Sequence, residues 1–275
     1  MAKDDKPSGQ PAPNARALAA QARAESEAAE RRRERMIRIG GAVVVVLVVA
    51  GLLAVGFFAG RDNGTDAGAA PTADPAAALP AGVDPGSYGV PYGTGWTADN
   101  AASLPTLEIF EDFQCPGCRQ LEASVGEDIQ QLAEDGDVKL LYRPATFLDR
   151  NFPESNNSSA RAAAAWGCAV DAGRTAEYHN GIYAMQPETE GQGYTEQQLL
   201  DLGAQVGITG EAYTTFESCV KDGTYLSWTA NSQQAFEQAG IASTPTVRLN
   251  GTDLSIEDVY DIVTLKKLIA GATAS

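Results

Sequence analysis

Cys115, Pro116, Gly117 and Cys118 form a Cys-x-x-Cys motif. Two cysteines separated by two residues can close a small disulfide. The motif follows the short run Leu107-Glu108-Ile109-Phe110 and precedes a helix-like stretch. At a helix start, the first thiol meets unpaired backbone N–H groups and the positive end of the helix dipole. Both favour the thiolate, which is the nucleophile of disulfide exchange. The same spacing can serve zinc, but zinc takes about four ligands. The chain has four cysteines, one histidine (His179) and no second pair at this spacing, so no metal site is assigned. An inert bridge is the other alternative, and closing so short a loop contributes little stability. The motif is therefore read as a redox disulfide.

The other two cysteines are Cys168 and Cys219. Four cysteines allow three connectivities. The reading adopts Cys115–Cys118 and Cys168–Cys219. The second bridge closes a long loop and is taken as structural, worth roughly 4 kcal/mol through restriction of the unfolded chain. A second redox relay is the alternative, but neither residue has a cysteine close by in sequence. His179 lies alone between apolar helix residues and is taken as structural. Trp166, Trp228 and Phe236 are taken as core.

All four cysteines follow an apolar run, residues 39–60, that carries no charge. About 20 such residues span a bilayer core. The run starts too far from the N-terminus for a cleaved signal peptide. Arg31, Arg32, Arg33, Arg35 and Arg38 crowd its N-terminal flank, and only Arg61 follows it closely, beside Asp62 and Asp66. The positive-inside rule then places residues 1–38 in the cytoplasm and the remainder outside, where disulfides persist. The first 38 residues hold nine basic and six acidic side chains, a net charge of +3, and the chain as a whole carries −16. So acidic an outer part argues against nucleic acid or anionic lipid as a ligand. Residues 1–13 read as disordered. Glu27/Arg31 and Glu34/Arg38 support a solvated helix leading into the membrane. Residues 61–86, rich in Ala, Pro, Gly and Asp, read as a flexible tether.

Folded material is expected from Ser87 onward, long enough for one domain. Residues 106–113 read as a strand that runs into the motif. The stretch 118–134 reads as a helix with Leu121, Val125, Ile129 and Leu132 on one face. A turn at Asp135-Gly136-Asp137 leads to a strand at 138–143. Residues 155–239 then carry five helical patterns punctuated by glycines. The sheet resumes at 246–249. Asn250-Gly251 marks a hairpin into a short strand at 252–255. Ser255 caps a final helix, 256–270, bent near Val263-Thr264.

The motif, the helical insertion and Thr244-Pro245-Thr246 before the third strand occur together. That set resembles the DsbA-like thiol–disulfide oxidoreductases of the thioredoxin superfamily, over roughly residues 90–272. The phrase Phe110-Glu111-Asp112-Phe113-Gln114-Cys115-Pro116 resembles the membrane-anchored members of high-GC Gram-positive bacteria. Trp166–Ala169 and Glu177-Tyr178-His179 resemble the family's insertion. The implied fold is α/β: thioredoxin-like with a helical insertion, preceded by a single N-terminal transmembrane helix. The resemblance implies that Cys115 is the exposed nucleophile and Cys118 the buried resolving cysteine. It implies that Pro245 is a cis-proline and that the Thr244 backbone pairs with a substrate peptide. A cis X–Pro bond marks a tight bend and leaves backbone groups open to an extended chain.

Two departures from the family bear on the chemistry. The acidic residue that members often carry six positions before the first cysteine is Ile109 here. Glu111 and Asp112 are candidates for proton transfer to Cys118, or else solvated carboxylates at a loop end. Between the cysteines stands Pro116-Gly117 rather than Pro-His. Without that histidine the nucleophile's pKa rises and the disulfide becomes less oxidising.

The resemblance implies an outward-facing, membrane-tethered oxidase that needs no metal, nucleotide or flavin. Its substrates would be unfolded or reduced exported proteins, and a membrane quinone-linked partner would re-oxidise it. A reductase or isomerase uses the same chemistry, and Pro116-Gly117 with Thr244 leaves both open. A binding or chaperone module with two structural disulfides is the reading from another class. A reducible Cys115 of depressed pKa discriminates against it.

Overall fold

The computed structural model describes residues 69–272. The expected cytoplasmic tail (1–38), transmembrane helix (39–60) and start of the tether lie outside the described residues. No helix among the described residues is long and apolar enough to cross a membrane.

Among the described residues, five strands form one sheet: β1 (Val90–Tyr92), β2 (Thr106–Glu111), β3 (Lys139–Pro144), β4 (Thr246–Leu249) and β5 (Thr252–Asp253). Their order is β1-β3-β2-β4-β5. β2 and β3 are parallel, with Ile109 opposite Tyr142, while β4 runs antiparallel to β2. Leu107, Ile109, Leu140 and Val247 are buried, so the central strands are covered by packed side chains. At the β4–β5 hairpin, Asn250 and Gly251 take φ of 49° and 76°, the left-handed pair that a two-residue turn requires. The Asn250 side chain accepts from the Thr106 amide at 2.9 Å, which ties this hairpin to β2. The sequence reading had no counterpart for the three-residue β1, and it ran the final strand to Ser255 where β5 ends at Asp253.

The helix expected over 118–134 begins two residues earlier and has three parts: α1 (Pro116–Leu121), a π-helical segment (Glu122–Gly126) and α2 (Glu127–Glu134). Pro116 fits the first turn, where a missing N–H costs nothing. The π segment changes the phase of the helix, and the side chain of its first residue, Glu122, points inward and is buried. Gly126 makes that possible, because a Cβ there would collide with the Glu122 carboxylate.

Between β3 and β4 stand the insertion helices: α3 (Leu148–Asn151), α4 (Ser158–Asp171), α5 (Thr175–Ala184), α6 (Glu196–Gln205), α7 (Gly210–Lys221) and α8 (Leu226–Gln238). α4 is almost wholly buried, including Trp166 and Cys168. Cys168 is bonded to Cys219 of α7. The last helix is interrupted at Asp261, not at Val263-Thr264, giving α9 (Ile256–Tyr260) and α10 (Ile262–Gly271). Asp261 caps α10 by accepting from the Val263 amide, which explains the position of the break.

Packing starts before Ser87. The Asp74 amide donates to Asn231 at 2.9 Å, and the Ala81 amide donates to Asp171 at 2.8 Å. Pro80 and Val83 are buried. The tether reading therefore extended too far: the composition of residues 74–83 is linker-like, but specific side chains of α4 and α8 hold them down.

Candidate active site

β2 ends at Glu111, and a short turn carries the chain into Cys115, the residue that precedes α1. The turn is fixed from two directions. Asp112 accepts from the Gln114 amide at 3.0 Å, the Leu148 amide at 3.1 Å and the Ser159 hydroxyl. The Gln186 side-chain amide donates to the carbonyls of Phe113 (2.8 Å) and Cys115 (3.1 Å). Tyr194 donates to the Phe113 carbonyl at 2.6 Å. Arg119 of α1 donates to the Gln186 carbonyl at 3.1 Å, closing the strap.

Both motif cysteines are free thiols here. Cys115 is only 8% exposed, less than the open nucleophile that was expected, whereas Cys118 is fully buried. A hydrogen bond from Cys118 is the main cause of a Cys115 pKa lowered to about 6; Thr244 and the Gly117 and Cys118 amides add to it, and burial opposes it. Burial pushes Cys118 well above the ordinary thiol range, and the hydrogen bond to Cys115 and the Glu111 charge add to that. The pair is thus one ready thiolate and one held proton.

The Thr244–Pro245 peptide bond is cis. The Cys115 thiol is 3.4 Å from the Thr244 carbonyl. A Cβ on Gly117 would stand 3.1 Å from the Pro245 ring and 3.6 Å from the Cys115 sulfur. Glycine at this position lets the proline segment approach the motif closely. Cys115, Cys118, Gly117, Thr244 and Pro245 therefore meet at one end of the sheet, and Pro116 is exposed beside them.

Neither carboxylate of the Glu111-Asp112 pair is solvated. Asp112 is fully buried, and its oxygens are taken up by the turn and by α4. Burial raises its pKa to about 8. Glu111 points toward His179, whose Nε2 is 3.1 Å from Glu111 Oε2. Burial raises the Glu111 pKa, and the Cys115 charge adds to the rise. Glu122, with a side chain only 5% exposed, reaches the same place, 3.8 Å from His179 Nδ1. Burial and the Glu111 charge raise its pKa to about 8. Glu111, Glu122 and His179 are close enough together to hold a cation, but the imidazole directs its two nitrogens at different carboxylates.

The sequence reading missed Glu122, Gln186 and Tyr194. Glu122 had a signal: it stands four residues after Cys118, next to an otherwise apolar helical face. Gln186 and Tyr194 lie just beyond α5 and just before α6, with no local pattern to mark them.

A thioredoxin family model matches residues 94–269. The chain belongs to the thioredoxin family, and its helical insertion gives it the DsbA-like form of that fold. The reduced DsbA of Mycobacterium tuberculosis is 26% identical with a TM-score of 0.51, covering 61% of this chain and 83% of that one. The disulfide bond oxidoreductase DsbG of the same organism gives 26% identity and a TM-score of 0.51, covering 61% and 79%. MdbA, a thiol-disulfide oxidoreductase from Actinomyces oris, shares the fold at 23% identity and a TM-score of 0.56, covering 68% and 89%. Among curated sequences, the serine/threonine-protein kinase PknE of Mycobacterium tuberculosis is 27% identical over 148 residues, 52% of this chain. The chain spans only 26% of that relative's length.

Proposed function

We propose that this DsbA-like thiol–disulfide oxidoreductase introduces disulfides into exported proteins, tethered outside the membrane by residues 39–60. The observation that carries the proposal is the asymmetry of the pair: Cys115 lowered to about 6 at a helix start, Cys118 raised in the interior. Stabilising the thiolate of the reduced form makes the disulfide easier to reduce, and hence a better oxidant of other thiols.

A substrate thiolate attacks Cys115 Sγ. The Cys115–Cys118 bond breaks, and its electron pair goes to Cys118 Sγ. Glu111 supplies the proton that neutralises this buried thiolate. A second substrate thiol, as its thiolate, attacks the substrate sulfur of the mixed disulfide. Cys115 leaves as a thiolate, the substrate is oxidised and the enzyme is a dithiol. The edge near Thr244 holds the substrate chain during these steps. A membrane quinone-linked partner then removes two electrons and restores the disulfide.

A pKa of about 6 also favours, more weakly, a reductase or isomerase, because it lies nearer the value of about 7 in thioredoxin than the value of about 3.5 in DsbA. Incubation of the oxidised protein with a reduced, unfolded two-cysteine substrate separates the readings. An oxidase gives a stoichiometric burst of substrate disulfide. A reductase or isomerase gives little net oxidation.

A further inference from the structure

The exchange steps use Glu111 and leave two buried ionisable neighbours without a role, Glu122 and His179. The His179 imidazole lies between the Glu111 and Glu122 carboxylates. Its Nε2 faces Glu111 Oε2 at 3.1 Å, while its Nδ1 is 3.3 Å from Asn180 Oδ1 and 3.8 Å from Glu122 Oε2. A neutral imidazole donates at one nitrogen and accepts at the other, so a proton can arrive at one edge and leave from the other. Asn180 is half-buried and exchanges hydrogen bonds of 2.7 and 3.0 Å with Gln130 of α2, so the polar chain approaches solvent there.

The local fold is arranged around this contact. Glu122 opens the π segment with its side chain buried, and Gly126 leaves room for its carboxylate. One oxygen each of Glu111 and Glu122 is buried with no hydrogen-bond partner. Rings of Phe113, Tyr142, Trp166 and Tyr183 surround the imidazole, with centroids 4.3 to 5.5 Å away. The titratable groups around it are Glu111 on β2, Glu122 on the π segment, Tyr142 on β3 and Tyr183 on α5, with Cys118 of α1 beyond Glu111. Burial raises both tyrosines well above the ordinary range, so they stay neutral. Two carboxyls, one imidazole and the buried thiol remain to share protons.

We propose that His179 and Glu122 reload Glu111 with a proton from the Asn180 side rather than through the mouth at Cys115, so that the charge of this buried cluster follows the redox state of the cysteines. The inference rests on the oxidoreductase reading. When substrate bonds to Cys115, that mouth is covered, and Cys118 leaves as a buried thiolate. Glu111 gives it a proton. His179 Nε2–H restores the Glu111 proton, the Glu122 carboxyl replaces it at Nδ1, and Glu122 regains a proton from solvent on the Asn180 side. The net change is one proton moved from solvent to Cys118 and a switch of the His179 tautomer, which reverses when the disulfide re-forms. His179 and Glu122 are positioning residues here, acting through Glu111.

His179 is the single histidine of the chain, so its ring nitrogens give an unambiguous magnetic resonance signal. The test is to record that signal against pH in the full chain in detergent micelles, oxidised and then reduced. The Cys115 thiolate of the dithiol form places negative charge near the cluster. The titration midpoint is therefore higher in the dithiol than in the disulfide, and in Cys115→Ser, which has neither the thiolate nor the disulfide, it stays at the lower, disulfide-form value. Identical ring shifts and midpoints in both redox forms overturn the inference. A second arm follows reduction of the disulfide by a thiol under single-turnover conditions. His179→Gln slows it at least roughly tenfold and alters its pH profile, because a relayed proton no longer reaches Cys118. The Cys115 alkylation midpoint stays where it was. An unchanged rate and pH profile also overturn the inference. A wild-type protein that exchanges with no thiol at all defeats the oxidoreductase reading instead, which distinguishes the two failures.

Discussion

The Cys115 sulfur stands 3.4 Å from the carbonyl oxygen of Thr244, 129 residues away in sequence. The nucleophile is thus held between the start of α1 and the edge where β4 begins.

The first prediction concerns its ionisation. Alkylation of the reduced protein follows a titration with a midpoint of about 6. The largest cause is the hydrogen bond from Cys118, so Cys118→Ala moves the midpoint upward toward the ordinary 9.0. A midpoint unmoved by that substitution rejects the assignment.

The same shift sets the pH dependence of the dithiol form. A thiol whose folded pKa is depressed from 9.0 to about 6 adds stability that is full above 9 and is lost as pH falls through 6. The disulfide form has no such group. The melting temperature of the reduced protein, relative to the oxidised one, therefore declines between pH 9 and 6. A gap that widens in that direction contradicts the account.

Glu122 acts with the opposite sign. Its pKa is raised from 4.5 to about 8, mainly by burial, so its contribution is full below 4.5 and disappears as pH rises through 8. Glu122→Gln removes that titration. The stability of the disulfide form becomes flatter between pH 4.5 and 8, as chemical denaturation at several pH values will record.

The Cys168–Cys219 bridge spans a sequence separation of 51 residues. Replacing both cysteines by serine lowers unfolding stability by about 4 kcal/mol in the chain-entropy description. The potential of the Cys115–Cys118 pair stays unchanged, since the bridge lies between α4 and α7, not at the site. Equilibrium unfolding in urea and a glutathione titration measure the two effects separately.

Gln186 donates to two carbonyls of the active-site turn. Gln186→Ala removes one donor from each carbonyl, Phe113 keeping Tyr194 and Cys115 keeping the Arg119 amide, at a cost of about 0.5–1.5 kcal/mol per lost hydrogen bond. Faster amide exchange across residues 113–115 would accompany the loss; unchanged exchange would show that the strap is not what fixes the turn.

The sequence was most informative where chemistry is local. Cys115 and Cys118 announce themselves by spacing, and the Asn250-Gly251 turn by residue type. The five helical patterns of the insertion follow from apolar periodicity and glycine punctuation. What stayed hidden depends on distant partners. Residues 74–83 look like linker because their anchors, Asn231 and Asp171, lie far along the chain. The π segment is invisible to a 3.6-residue period. Asp112 and Glu111 are adjacent on the chain yet serve different neighbours, Ser159 and Leu148 for one, His179 for the other. One residue of register at a strand end decides that, and composition does not encode it.

The most direct test is the redox equilibrium of the Cys115–Cys118 pair in the full chain, titrated against glutathione with a Cys168/Cys219 double-serine control. A Cys115 pKa of about 6 lies between those of thioredoxin and DsbA. The account accordingly predicts a potential between about −120 and −230 mV, positive enough to oxidise the thiols of structural disulfides below about −300 mV. A value at about −270 mV or lower contradicts an oxidase, and a pair that resists reduction altogether removes the enzymatic account.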